Sequence, residues 1–118
     1  MAKVLIIEDN PSISLILKEI LSTEGHTVNT VVDGYSALEK LKETPLPDIV
    51  LLDYFMPGMN GQDFIKEMRT KPSLKNIPVI VVTGADLSLE DFQKDDCQAI
   101  IKKPFDLNEV VEKVKNLL

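Results

Sequence analysis

Short apolar runs recur at regular intervals along the chain, and the spacing of apolar positions changes between them. Val4–Ile7, Ile49–Leu52 and Val79–Val82 are unbroken runs of β-branched residues and leucine. Such runs, without polar alternation, are the pattern of parallel strands covered on both faces. Thr27 to Val32 mixes Thr27, Asn29 and Thr30 into its run and predicts an edge strand; Ala99-Ile100-Ile101 is short and predicts the other edge. Between the strands the spacing becomes helical. Ile13, Ile16, Leu17, Ile20 and Leu21 form one stripe, with Asn10 placed as the cap, Pro11 as the first helical residue and Gly25 as the stop. Ala37, Leu38 and Leu41 form a second stripe after Asp33-Gly34, and Phe64, Ile65 and Met68 a third after Gly61. Leu107, Val110, Val111, Val114, Leu117 and Leu118 form the last, opened by Asp106 and Glu109 as a capping pair. Ser88 to Lys94 predicts a weak fourth helix. It has Leu89 and Phe92 to bury, and Asp95 and Asp96 at its end oppose the helix dipole.

Strands alternating with helices in this way predict an α/β fold, a doubly wound (βα)5 domain with an open five-stranded parallel sheet and right-handed crossovers. An edge-like second strand suits the flavodoxin-like order 2-1-3-4-5, whose switch point lies between strands one and three. Ligands should then bind in the crevice at the C-terminal ends of those strands.

Composition narrows the function. The 118 residues suit one domain, and 44% hydrophobic with 27% charged residues is ordinary for a globular protein with a real core. The net charge of −6 disfavours direct contact with nucleic acid or an anionic membrane. The single cysteine, Cys97, rules out an internal disulfide and suits a reducing cytoplasm. The start, MAKVLIIEDN, reaches acids too soon for a signal peptide, and no apolar run approaches the ~20 residues of a membrane span. A cytoplasmic location is the expectation.

The strand ends carry the candidate chemistry. The first strand ends in Glu8-Asp9, the third in Asp53, the fourth in Thr83 and the fifth in Lys102-Lys103. The predicted sheet order brings these distant residues together. Carboxylates ~4 Å apart repel by roughly 4 kcal/mol per pair at an effective dielectric near 20, so a proton or cations must neutralise the cluster. Lys103 supplies one positive charge. Oxygen ligands without a nearby His or Cys favour Mg²⁺ over Zn²⁺. A carboxylate nucleophile, a hydroxyl and an ammonium are together what phosphoryl transfer needs.

At these residues the chain resembles the receiver domain of two-component response regulators, over residues 1–118. "IIEDN" is similar to that family's acidic pair, "LLDYFMPGMNG" to its phosphoacceptor motif, "VVTGA" to its switch hydroxyl followed by a small residue, and "KKPF" to its lysine-proline pair. Chemotaxis receivers show the 2-1-3-4-5 order, so the topology is part of this resemblance. The resemblance implies a phosphoacceptor, Asp53, and a Mg²⁺ site made by Asp9, Glu8, Asp53 and the backbone carbonyl of Phe55. It implies phosphoryl contacts from Thr83 and Lys103, and a cis bond between Lys103 and Pro104. It implies a sensor histidine kinase or histidine phosphotransfer protein as donor. A downstream protein would be met through the face of the fourth helix, fifth strand and fifth helix. The domain would assist its own phosphorylation and dephosphorylation and would not be an enzyme of turnover. The chain departs from the family at Ile100, where an aromatic is common, and at Asp96-Cys97, where Gly-Ala is common. It also has Phe55 and Ala85 where many members carry polar side chains.

Plainer readings stand beside these. Alone, Asp53 would be a turn residue, Thr83 a strand-end β-branched residue and Lys103 a solvated charge; their convergence with Asp9 is what argues otherwise. Lys102 is read as a solvated charge, His26 as a surface residue, Cys97 as a small packed hydrophobe, and Met56 and Met59 as loop packing. Three other functions stand open. The chain is the excised receiver of a longer DNA-binding regulator, a metal-dependent phosphatase working through an aspartyl phosphate, or a degenerate receiver used only for binding. A phosphatase would want a second acid soon after Asp53, where Tyr54, Phe55 and Met56 stand.

Overall fold

A computed structural model describes residues 2–118. Strands β1 (Lys3–Ile7), β2 (Thr27–Val31), β3 (Ile49–Asp53), β4 (Val79–Thr83) and β5 (Ala99–Lys102) form one sheet in the order β2-β1-β3-β4-β5. All pairings are parallel, with Ile7 beside Leu52 and Val31, and Thr83 beside Lys102. The predicted strands and their order are therefore as found, except that β2 stops one residue early and leaves Val32 exposed.

Helices α1 (Pro11–Thr23), α2 (Gly34–Lys40), α3 (Gly61–Arg69) and α4 (Leu107–Leu117) cover the two faces. Successive strand residues feed opposite faces, as the pleat requires. Leu5, Ile7, Val50, Leu52, Val79 and Val81 pack with Ala37, Phe64, Ile65 and Met68 of α2 and α3. Val4, Ile6, Ile49, Leu51, Ile80 and Val82 pack with Leu17, Leu21, Val110 and Val114 of α1 and α4. Burying each of these large side chains contributes about 1.5–3 kcal/mol, which is why both strand faces are apolar.

Local signals hold at most helix ends. The Asn10 side chain accepts from the backbone N–H groups of Ser12 and Ile13, and Gly25 leaves α1 with a φ of +95°. α3 is capped by Asn60, and Gly61 is its first residue. Two expectations change. Ile16 is 46% exposed, because Leu17 and Leu21, four residues apart, hold the sheet-facing line and Ile16 is turned about 100° from it. The Asp106 side chain accepts from Asn108, but Glu109 pairs with Lys113 at 3.7 Å, so the reciprocal half of the predicted cap is replaced by an i,i+4 ion pair.

The predicted fourth helix is a single 3₁₀ turn, Leu89–Asp91. Leu89 is 50% exposed, and Phe92, which packs against the core, lies past the turn with an extended backbone. The Asp91 carbonyl, which would serve a continuing helix, accepts instead from Gln62 Nε2 of α3 at 2.6 Å. Asp95 then turns the chain with a φ of +67°. The segment is tied down at its far end by Arg69, a residue the apolar pattern did not single out. Its guanidinium donates to the carbonyls of Leu74, Lys75, Ile77 and Asp96 and to the Gln98 side chain. Among the described residues no helix is long and apolar enough to cross a membrane.

Candidate phosphoacceptor pocket

The pocket lies where the strand order reverses, between the ends of β1 and β3. Glu8 leaves β1 with its N–H bonded to the Val31 carbonyl at 3.0 Å, which aims its side chain across the sheet end. It is 3% exposed, whereas Asp9, one residue on, is exposed. Asp53 is the last residue of β3 and 6% exposed. One oxygen from each of Glu8, Asp9 and Asp53 lies within 4.8 Å of the others. Lys103, just past β5, reaches into this cluster. Its Nζ donates to Glu8 Oε1 at 3.0 Å and to Asp53 Oδ1 at 3.4 Å.

These four side chains thus meet as the strand ends predicted. The lysine bonds Glu8 more closely than Asp53, a preference no sequence pattern encodes, because it depends on how far each strand end projects. Thr83 sits at the adjoining strand end and is fully buried. Its carbonyl accepts from the Lys103 N–H at 2.8 Å, while its hydroxyl accepts from the Ala85 N–H at 3.0 Å. The Lys103-Pro104 bond is cis, as the resemblance implied; Thr44-Pro45 is cis as well. Phe55 points outward, 61% exposed, with its ring edge-to-face on Tyr54 at 5.1 Å.

Three carboxylates against one ammonium leave the pocket with excess negative charge. Burial, then the hydrogen bond and negative charge of Glu8, push the Asp53 carboxyl from 3.8 up to about 7, against the pull of Lys103. Burial works to lower the Lys103 ammonium, but Glu8 and then Asp53 outweigh it and hold it above its ordinary value. Carboxylate oxygens alone, gathered around one point, are the donor set of a hard divalent cation.

The minor residues read from the sequence fall as follows. Cys97 is buried in the core, Met56 is buried, and Met59 packs against that core. His26 Nδ1 accepts from the Ala2 N–H at 3.3 Å. Lys102 is exposed and paired with Asp86 at 2.6 Å. Two supports were missed by sequence reasoning, the Arg69 clamp and a hydrogen bond from the Tyr35 hydroxyl to the Gly58 carbonyl at 3.2 Å. Neither residue belongs to a motif or an apolar stripe.

Known proteins resemble this chain in sequence and fold. The response regulator receiver domain family model matches residues 4–115. The chain is 30% identical to the phosphate regulon transcriptional regulatory protein PhoB of Rhizobium meliloti, with 98% of this chain aligned to 52% of that protein. It is 35% identical to the sensory transduction protein RegX3 of Mycolicibacterium smegmatis, over 100% of this chain and 51% of that protein. The chain therefore spans about half the length of these curated relatives. Among solved structures, response regulator TrrA of Thermotoga maritima, in complex with Mg²⁺-BeF, is 34% identical with a TM-score of 0.88, covering 100% of both chains. With its sheet order, strand-end acids and near-complete family match, the chain belongs to the response regulator receiver domain family.

Proposed function

We propose that residues 1–118 act as one receiver unit in which Asp53 takes a phosphoryl group from a phosphohistidine. The donor is a sensor histidine kinase or a histidine phosphotransfer protein, and the modified chain binds a downstream protein differently. The observation that carries this reading is a buried strand-end carboxylate, Asp53, sharing its pocket with Glu8, Asp9 and the Lys103 ammonium. The oxygen donors suit Mg²⁺, held by Glu8, Asp9, Asp53 and the Phe55 carbonyl; the Mg²⁺ complex of the Thermotoga relative supports the choice. When bound, the ion would neutralise charge on the carboxylates and on phosphoryl oxygens.

The chain's own residues do the rest. Ionised Asp53 attacks phosphorus, and a P–O bond forms as the P–N bond to the donor imidazole breaks, its electron pair returning to nitrogen. Lys103 stabilises negative charge on the transferring oxygens. The Thr83 hydroxyl, which accepts from the Ala85 N–H, donates to one of them. Phe55 and Ala85 offer no polar group to align a hydrolytic water, so the acyl phosphate is long-lived for this family. The downstream protein meets the face formed by Ser88 to Lys94, β5 and α4, the counterpart of the predicted fourth helix–fifth strand–fifth helix surface. The acidic composition argues against direct nucleic-acid or membrane binding and, with a lone cysteine, supports a cytoplasmic location.

Incubation with an autophosphorylated histidine kinase or a phosphorylated phosphotransfer protein tests the reading. Label should move to this chain, depend on Mg²⁺ and be released by hydroxylamine, as an acyl phosphate is. Label that ignores EDTA or resists hydroxylamine contradicts it. A second reading of the whole protein, a receiver controlling an attached DNA-binding domain, stands beside it, since the chain spans about half the length of these curated relatives. An immunoblot of the native protein separates the two, with a band near 13.2 kDa for the receiver alone and one well above it for the longer form.

A further inference from the structure

The arch between β3 and α3 is held at its two ends by backbone. At one end the Tyr54 N–H donates to the Val82 carbonyl at 3.2 Å; at the other the Gly61 N–H donates to the Tyr54 carbonyl at 2.8 Å. Among the described residues, positions 55–59 make one hydrogen bond to the rest of the protein, from the Tyr35 hydroxyl to the Gly58 carbonyl at 3.2 Å. Two glycine contacts flank it. Gly58 has a φ of +78°, and a β-carbon there would lie 3.1 Å from Tyr35 Cε2, so the ring lies against the bare backbone. A β-carbon on Gly34 would lie 2.7 Å from Met59 Sδ, so Met59 in turn occupies the space over Gly34. Tyr35 covers Gly58 and Met59 covers Gly34, an interlock between the arch and the start of α2. That helix start is itself firm. The Asp33 side chain accepts from the Ser36 N–H at 2.7 Å, and Ala37 is fully buried in the core.

We propose that Tyr35 is a positioning residue, which holds the crown of this arch against α2 and thereby sets the Phe55 carbonyl toward the cation. The proposal rests on the metal site described above. Tyr35 touches none of the acids. It acts through Gly58, three residues past Phe55, in the stretch 55–59 that makes no other hydrogen bond to the rest of the protein among the described residues. Because the side chain is 56% exposed, truncating it opens no core cavity, and the fold should survive.

Mg²⁺ titration of wild type, Tyr35→Ala, Tyr35→Phe and Asp9→Ala tests it, together with exchange of the Gly61 amide, which is bonded to the Tyr54 carbonyl, in metal-free protein. Tyr35→Ala should weaken Mg²⁺ binding about tenfold, in the range for a support behind a metal ligand, and should speed exchange of the Gly61 amide. Tyr35→Phe keeps the ring on Gly58 and loses the hydroxyl, so it should recover part of both, with affinity within about threefold of wild type. Wild-type affinity or unchanged Gly61 exchange in Tyr35→Ala overturns the positioning role while a loss in Asp9→Ala leaves the metal site standing. If Asp9→Ala also binds Mg²⁺ as wild type does, the metal-site reading and this inference fall together.

Discussion

In the metal-free pocket Asp53 holds its proton to about pH 7, because it is buried beside Glu8, whereas in the unfolded chain it would lose it near 3.8. The folded form therefore binds the extra proton between those values. Stability contributed by Asp53 is present below about pH 4 and is lost as pH climbs through about 7. Thermal denaturation without Mg²⁺ should show this decline, and Asp53→Asn should flatten it. Asp33, lowered by its hydrogen bond from the Ser36 N–H, acts in the opposite sense, its contribution fading as pH falls through its lowered value. A proton on Asp53 also competes with the cation, so Mg²⁺ affinity should fall by up to about tenfold per pH unit below about pH 7. At Phe55, replacement by Asn supplies a polar group beside the acid, and Phe55→Asn should shorten the acyl-phosphate lifetime by roughly tenfold, read from phosphate release. An unchanged lifetime would remove water alignment as the reason for slow hydrolysis. The site acids were legible in the sequence because they end separate strands that the sheet order brings together, whereas Asp53 alone would read as a turn residue. The closer bond of Lys103 to Glu8 was not, since it is set by geometry at strand ends far apart in sequence.

Among the elements, the strands were legible from their unbroken apolar runs, and the long helices from stripes and caps. Ser88 to Lys94 was marked as weak, and the structure shows how the weakness resolves. Two apolar residues give too little burial to offset the ordering of a helix, and the Gln62 side chain takes the Asp91 carbonyl. Arg69 escaped notice because a charged residue near a helix end reads as solvated, yet its donors bind backbone carbonyls from two separate segments. Arg69→Met should lower stability by about 2–4 kcal/mol, measured by urea unfolding, by leaving those half-buried carbonyls unpaired. The same architecture shapes the expected switch. The Thr83 hydroxyl accepts from the Ala85 N–H, so a Thr83 drawn toward a phosphoryl group should carry that N–H with it, moving the loop from Thr83 to Leu87. Ile100 is β-branched and packs against the core, so it should keep its rotamer while that loop and Ser88 to Lys94 shift. Methyl and amide NMR with a beryllofluoride mimic check this, and a rotamer exchange at Ile100 beside a static loop would contradict it.

At the scale of the molecule, the sheet order turns four separated stretches of sequence into one pocket. Pairing β1 beside β3 sets Glu8 and Asp9 next to Asp53, and β5, two strands from β3, delivers Lys103 across the intervening end of β4. The two apolar layers hold these ends in place, leaving the acids to be balanced by a proton, a lysine or a cation. The topology was legible because uniform apolar strands alternating with helices admit few arrangements. The interlock of Tyr35 with Gly58 was not, because it joins the start of α2 to a loop distant in sequence through one hydrogen bond and a close fit that no motif marks. Under the proposed function this pocket phosphorylates Asp53. Intact mass after incubation with acetyl phosphate and Mg²⁺ tests it most directly. Wild type should gain the mass of one phosphoryl group, lost when EDTA precedes the reaction, and Asp53→Asn should gain none; equal labelling of Asp53→Asn would contradict the account.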